Sequence, residues 1–312
     1  MPQTVINLSA PRIPGWRIVR PLSDGAQAHT YVVAPESRPS DECAVAKVMR
    51  LKGIEGYALS PEVQRWRMER EVRALRTLQD AGCEGVVRVL DHGSHTEGTG
   101  QPWMVMHRHA GPARSFDGTG FVYAERFRGR VTRVMSMTES LARTLAVMHG
   151  HAERIVHRDL HLGNVLMDGV GSRPILGDFG IAHVAGHSPR PGFDDAVISG
   201  AWHWRPPELN AGDDGSPASD VFMLGGLVFE ALSGGHVLPY AGDWGSACVH
   251  ARPEHHLGRW TTDFRIPMVN ALLDRMLAID PAARLDAAEL VERCREIRLA
   301  GTLRGRPVLA TA

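Results

Sequence analysis

The hydrophobic period of this chain changes once, near residue 107, and no other feature restricts its folding as much. Before that point the apolar residues fall into short β-rich runs, "RIVRPL", "AHTYVVA", "CAVAKVM", "VVRVLDHG" and "WMVMH", separated by turn-forming residues. One strong helix interrupts them. It starts at "SPE", with Ser60 as N-cap and Pro61 at the first helical position, and runs through "VQRWRMEREVRALRTLQD". Beyond residue 107 the spacing turns helical in "TRVMSMTESLARTLAVMHG", "SPASDVFMLGGLVFEALSGG" and "VNALLDRMLAIDPAARLDAAELVERCREI", with Pro217 and Pro281 at first-turn positions. Among these helices "NVLMDGVGSRPILGDFG" reads as a β-hairpin, two apolar runs joined by a Gly-rich turn. Strands gathered before helices predict an α+β fold of two lobes. The first is a small antiparallel β lobe with one main helix, at residues 12–107; the second is larger and mostly helical, at 108–300. A linker is expected near His107 to Pro112, and residues 1–11 and 301–312 read as flexible tails.

A chain of 312 residues buries a sizeable core. Its 35 basic and 35 acidic side chains balance, which argues against an electrostatic hold on nucleic acid or an anionic membrane. No apolar run is long enough to span a bilayer, and the N-terminus lacks a signal pattern. Cys43, Cys83, Cys248 and Cys294 form no CxxC pair, which suits a reducing, cytoplasmic setting. Of the 35 cationic residues, 33 are arginine and only Lys47 and Lys52 are lysine. A GC-rich coding bias, hence a bacterial source, accounts for that. The bias makes a retained lysine informative.

Lys47 lies inside "AVAKVM", where a charge needs a reason. It is either an edge residue reaching solvent or a compact ammonium suited to a crowded phosphate. Glu71 shares a helix face with Met68, Leu75 and Leu78, and a carboxylate on an apolar face requires a partner. Lys47 is one candidate; Arg67 or Arg70 at the border of the face is the other.

Taken together, the motifs resemble those of the protein kinase superfamily in their family order, over roughly residues 15 to 298. "CAVAKVM" resembles the lysine strand and "EREVRALRTL" the helix bearing its glutamate partner. "HRDLHLGN" resembles the catalytic loop, "GDFG" the metal-binding motif and "GAWHWRPPE" the segment that usually ends in Ala-Pro-Glu, here with Pro206 for the alanine. "SDVFMLG" resembles the buried-aspartate helix, and Arg284 of "IDPAAR" the arginine that pairs with Glu208. The resemblance, to bacterial Hanks-type serine/threonine kinases, implies the two-lobed protein-kinase fold and transfer of the γ-phosphate of ATP to serine or threonine hydroxyls, autophosphorylation included. It implies that Asp159 accepts the substrate proton, that Asn164 and Asp178 hold magnesium or manganese, and that Lys47, oriented by Glu71, holds the α- and β-phosphates. Leu22, Gly25, Ala28 and Thr30 would surround the nucleotide. The adenine would lie between Ala46 and Leu166, bonded to the backbone near His107 and His109, with Met106 as gatekeeper. The protein substrate, any regulatory partner and the oligomeric state are left open by the sequence.

Several positions depart from the family pattern. "LSDGAQAHTYV" keeps only Gly25 of the three loop glycines, with Ser23 and Ala28 at the outer positions, so a weaker phosphate clamp is expected. His107 replaces an acidic residue. His161 and Ala201 stand where a lysine and a threonine usually meet beside the catalytic aspartate. The same loop also resembles the H-x-D-x-H-x-x-N loop of aminoglycoside and choline phosphotransferases, so a small-molecule kinase, or a nucleotide-binding pseudokinase acting as a scaffold, is an alternative. Histidine exchanges a fixed charge for a pH-dependent one, and His161 is expected to donate a hydrogen bond to Asp159 or to the γ-phosphate. Arg158 is the residue type that docks an activation-segment phosphate. That segment offers Ser188 and Ser199, and its Asp194 and Asp195 could supply negative charge without modification. His250, His255 and His256 read as a surface loop, and "RFRGRVTR" as a solvated helix face.

Overall fold

The computed structural model describes residues 11–25, 28–50, 60–94, 96, 100–109, 111, 130–168, 173–184, 205–234, 257–259 and 262–303. They form two compact units. The first comprises Met1–Arg76 and Val87–Arg108, and the second Thr77–Val86 and His109–Ala312.

The first unit holds strands β1 (Trp16–Asp24), β2 (Ala28–Pro35), β3 (Ala44–Met49), β4 (Val89–Gly93) and β5 (Trp103–His107), and most of helix α1 (Pro61–Asp80). The strands make one antiparallel sheet in the order β1-β2-β3-β5-β4. The register explains the division of labour between its faces. Tyr31 pairs with Ala46 and Ala46 with Val105, while Thr30 pairs with Lys47 and Val45 with Met106. Side chains alternate along a strand. One face therefore carries Val33, Ala44, Ala46, Val48, Trp103 and Val105, a buried cluster covered by Ile13. The other carries Thr30, Val45, Lys47, Met104 and Met106. At the start of α1 the Ser60 hydroxyl accepts from the Val63 N–H at 3.4 Å, as the cap expectation requires.

The second unit is built on helices α2 (Arg130–Gly150), α4 (Pro217–Ser233), α5 (Ile266–Met276) and α6 (Ala287–Leu303), with a one-turn helix α3 (Pro207–Asn210) and a hairpin of β6 (Val165–Met167) and β7 (Pro174–Leu176). Helix α2 packs against both α4 and α6. Ser216 precedes Pro217, and its N–H donates to the Ser219 hydroxyl at 3.0 Å. Gly234 ends α4 with φ +82°, the left-handed cap that glycine adopts without strain. Pro281 heads only a short 3-10 turn, and the long helix expected after it begins at Ala287. Helix α6 runs to Leu303, three residues into the expected tail. Among the described residues no helix is long and apolar enough to cross a membrane.

One boundary differs from the sequence reading. Thr77–Val86, the end of α1 and the turn after it, clusters with the second unit. The Leu176 N–H donates to the Gly85 carbonyl at 2.8 Å, Val86 bridges Leu176, and Arg173 pairs with Glu84 at 2.8 Å. A Cβ on Gly85 would come within 1.9 Å of the Thr144 hydroxyl, so this turn closes against α2 only as glycine. A continuous helix hides such a boundary from any reading of periodicity.

Candidate active site

In the first unit, the sheet face that carries Lys47 also receives Glu71. Lys47 Nζ lies 2.8 Å and 3.1 Å from the two carboxylate oxygens. Glu71 is 2% exposed, so this is a buried pair, and neither charge tolerates loss of the other. Thr30 is the cross-strand neighbour of Lys47 and Met106 that of Val45. Ala46 does not belong here. It sits on the other face of the sheet from its expected role, at 0% exposure in the opposite cluster, because successive side chains of β3 point to opposite sides. Val45 is the β3 residue that shares the face of Lys47, and the period of two counted back from Lys47 would have found it.

Leu22 is exposed, Gly25 and Thr30 flank the β1–β2 turn, and Ala28 is buried beside Met49 in the ladder. The His107 side chain is exposed at the end of β5, while its N–H donates to the Arg88 carbonyl at 2.9 Å. Its backbone is thereby tied to the segment before β4. His109 falls in the second unit.

In the second unit, residues 157–164 form a loop fastened from below by α4. The Asp220 carboxylate, fully buried, accepts the N–H of His157 at 2.8 Å and of Arg158 at 2.9 Å, and contacts His149 Nε2 at 2.9 Å. Arg158 has φ +66°, a left-handed conformation costly for any residue but glycine. The Asp220 carboxylate holds it there by accepting its N–H and that of its neighbour His157, both charge-assisted hydrogen bonds. His157 Nε2 donates to the Gly177 carbonyl at 3.0 Å, its Nδ1 accepts the Asp159 N–H at 3.3 Å, and its ring meets buried Phe179 edge-on at 4.6 Å. The hairpin does the rest. The Gly177 N–H donates to the Asn164 carbonyl at 2.9 Å, so Asn164 and Asp178 leave the β6–β7 ladder at the same end. Asp178 has φ +57°, tolerated by its short polar side chain. Leu166 is half-buried in β6, between the buried Val165 and Met167.

Asn164 Nδ2 donates to both the main-chain oxygen of Asp159 (2.9 Å) and its carboxylate Oδ2 (3.1 Å). Both amide protons are thereby engaged, which leaves Asn164 Oδ1 as an oxygen available to a hard cation. Asp178, which follows Gly177 at the same end of the hairpin, supplies a carboxylate. One amide oxygen and one carboxylate fit a divalent ion that takes its remaining ligands from water and phosphate. Asp159 Oδ1 is buried and has no hydrogen-bond partner among the described residues. Burial pushes the Asp159 carboxyl above the ordinary carboxylate range; His161 opposes this, Asp178 adds to it, and His157 and the Asn164 hydrogen bond pull it back.

His161 stands as expected beside this aspartate, but farther off. Its Nδ1 accepts the Gly163 N–H at 3.1 Å, which puts the proton of the neutral ring on Nε2, and Nε2 lies 3.8 Å from Asp159 Oδ2. That is ion-pair range, longer than a hydrogen bond. Arg158, 8% exposed, donates through Nε to the Ile181 carbonyl at 2.7 Å and through Nη1 to that of Asp214 at 3.0 Å. Glu208 and Arg284 form the expected pair, as a bidentate fork at 2.6 Å and 2.9 Å. Ser188, Ser199, Asp194, Asp195, Ala201, His250, His255 and His256 lie outside the described residues, as does Pro112.

A family model described as the protein kinase domain matches residues 29–294. Among curated proteins, the serine/threonine-protein kinase PknA of Mycobacterium tuberculosis is 31% identical over 232 residues, 73% of this chain and 48% of that protein. The DNA damage-responsive serine/threonine-protein kinase RqkA of Deinococcus radiodurans is 30% identical over 246 residues, 78% of this chain and 32% of that protein. The serine/threonine-protein kinase PknK of Mycobacterium tuberculosis is 32% identical over 179 residues, 56% of this chain and 15% of that protein. The chain spans about half the length, or less, of these curated relatives.

Proposed function

Since the chain belongs to the protein kinase family, we propose that it moves the γ-phosphate of ATP to serine and threonine hydroxyls of proteins. The observation that carries this reading is the anchored Asp159. Its Oδ2 is held by Asn164, and its Oδ1 is buried with no hydrogen-bond partner among the described residues, as suits an acceptor for a substrate hydroxyl proton. ATP and a divalent cation are what the family uses. Magnesium is the ion we assign, because the oxygen-only donors Asn164 Oδ1 and Asp178 suit a small hard cation, and manganese would occupy the same donors. Once bound, the ion would neutralise charge on the phosphates during transfer. Lys47, fixed by Glu71, would hold the α- and β-phosphates, and Val45, on the same sheet face, would meet the adenine. Asp159 would take the hydroxyl proton as the oxygen attacks phosphorus and ADP leaves.

We further assign a cytoplasmic setting, which suits the free thiols Cys43, Cys83 and Cys294, and regulation through a partner protein or autophosphorylation. Incubation with labelled ATP and magnesium, alone and with a generic protein acceptor, tests the reading. Label in protein is expected, and is expected to vanish in Asp178→Ala. Transfer confined to small hydroxylated compounds, or ATP binding without transfer, would replace it with one of the alternatives.

A further inference from the structure

Four consecutive main-chain N–H groups, those of residues 157–160, each donate to a side chain. Those of His157 and Arg158 go to the Asp220 carboxylate, and that of Asp159 goes to His157 Nδ1. The fourth, from Leu160, goes to the thioether sulfur of Met223 at 3.4 Å. Leu160 and Met223 are both buried. Asp220 and Met223 stand three positions apart in α4 and so share a face of that helix. One turn of α4 thus receives three of the four N–H groups.

The Leu160 N–H belongs to the same planar peptide unit as the Asp159 carbonyl. That carbonyl accepts from Asn164 Nδ2 at 2.9 Å, and the same amide nitrogen reaches Asp159 Oδ2 at 3.1 Å. The peptide plane after Asp159 is therefore held at both edges, by Asn164 at its oxygen and by Met223 at its nitrogen. With the nitrogen edge released the plane can rotate, and rotation carries the carbonyl away from Asn164. Asp159 and the cation donor Asn164 Oδ1 would shift together. Methionine often serves only to fill gaps in a core, and for packing alone leucine would be an adequate substitute. The sulfur is what leucine lacks. It is a weak acceptor, yet removing it strands a buried N–H, which costs more than the bond itself contributes.

We infer that Met223 is a positioning residue for phosphoryl transfer: its sulfur holds the Asp159–Leu160 peptide, and with it Asp159, in the orientation that accepts the substrate proton. This rests on the kinase reading, and amide hydrogen exchange, which needs no turnover, lets the two fail separately. Wild type and Met223→Leu are compared with Met135→Leu, a packing control at a buried methionine of α2. Steady-state kinetics give kcat and KM for ATP, and NMR gives the exchange rates of the amides of residues 157–160. Met223→Leu is expected to lower kcat about fivefold or more, with KM for ATP within about twofold of wild type. Exchange at the Leu160 amide should quicken about fivefold or more, while the His157 and Arg158 amides, tied to Asp220, stay within about twofold. Met135→Leu should leave kcat and all these amides within about twofold. Exchange at Leu160 no faster than in Met135→Leu, or quickened equally at His157 and Arg158, overturns the inference and leaves the kinase reading standing. So does a kcat for Met223→Leu within about twofold of wild type. A wild type that transfers no phosphate overturns both, whatever the Leu160 amide shows.

Discussion

Asp159 answers two demands that pull its carboxyl in opposite directions. As a base it must be ionised, and as a carboxyl whose Oδ1 is buried with no partner among the described residues it is held above the ordinary carboxylate range, by burial first and by Asp178 against the pull of His161. A folded-state pKa raised above the unfolded value means that ionisation costs stability. The cost is absent below the unfolded pKa and complete once pH has risen through the folded one. Asp159→Asn should therefore lower kcat by about a hundredfold or more and yet raise the unfolding midpoint at neutral pH. In acid, where the wild-type carboxyl is already protonated, that gain should disappear, and thermal unfolding at the two pH values checks it. His161 makes a second residue-level case. Its ring is seated by the Gly163 N–H, and a Cβ on Gly163 would come within 2.8 Å of it. His161→Ala should lower kcat about fivefold or more, roughly 1 kcal/mol of barrier, and Gly163→Ala should reproduce part of that loss by displacing the ring. Rates for both within about twofold of wild type would leave the histidine a packing role.

Strand β3 shows where reading by motif and reading by geometry part. The lysine strand was legible from Lys47, and so was its partner Glu71, because a carboxylate on the apolar face of α1 had to be answered. The family resemblance implies Ala46 as the adenine-facing residue, and the pleat places that side chain in the Ile13 and Trp103 cluster instead. The two neighbours should respond differently to substitution. Ala46→Leu overfills a site that is 0% exposed and should cost about 1–3 kcal/mol of stability, with KM for ATP unchanged in whatever folds. Val45→Phe, on the face of Lys47, should raise KM for ATP with a smaller loss of stability. Chemical denaturation and steady-state kinetics on both variants separate the faces. The reverse pattern would restore Ala46 to the site.

At the scale of the whole chain, the order of strands and helices was legible because each element has its own period and caps, from Ser60 before α1 to Ser216 before α4. What could not be read was which unit claims Thr77–Val86, since that depends on Gly85 and Thr144 meeting across 59 residues of sequence. The longest ties in the helical unit work in the same way. Arg284, just before α6, reaches the carbonyls of Ala278, Ile279 and Ala218 as well as both oxygens of Glu208, and its guanidinium lies 4.8 Å over the Phe222 ring. Three stretches of chain meet on one side chain. Burial pushes the Glu208 carboxyl up, but the Arg284 fork, a main-chain hydrogen bond and the Ser219 hydroxyl outweigh it and hold the group below the ordinary glutamate range. With a folded pKa below the unfolded one, the pair contributes stability that is complete above the unfolded value and is lost as pH falls through the folded one. Removing either partner leaves a poorly compensated charge, so Glu208→Ala and Arg284→Ala should each cost about 3 kcal/mol at neutral pH. Glu208→Gln should cost less, since it keeps acceptor oxygen for the fork. In acid the gap between wild type and Glu208→Gln should close, because protonation makes the wild type resemble the variant. Denaturant midpoints across that range decide it, and a gap that stays constant would place the stability of this corner in Phe222 and the three carbonyls rather than in the ion pair.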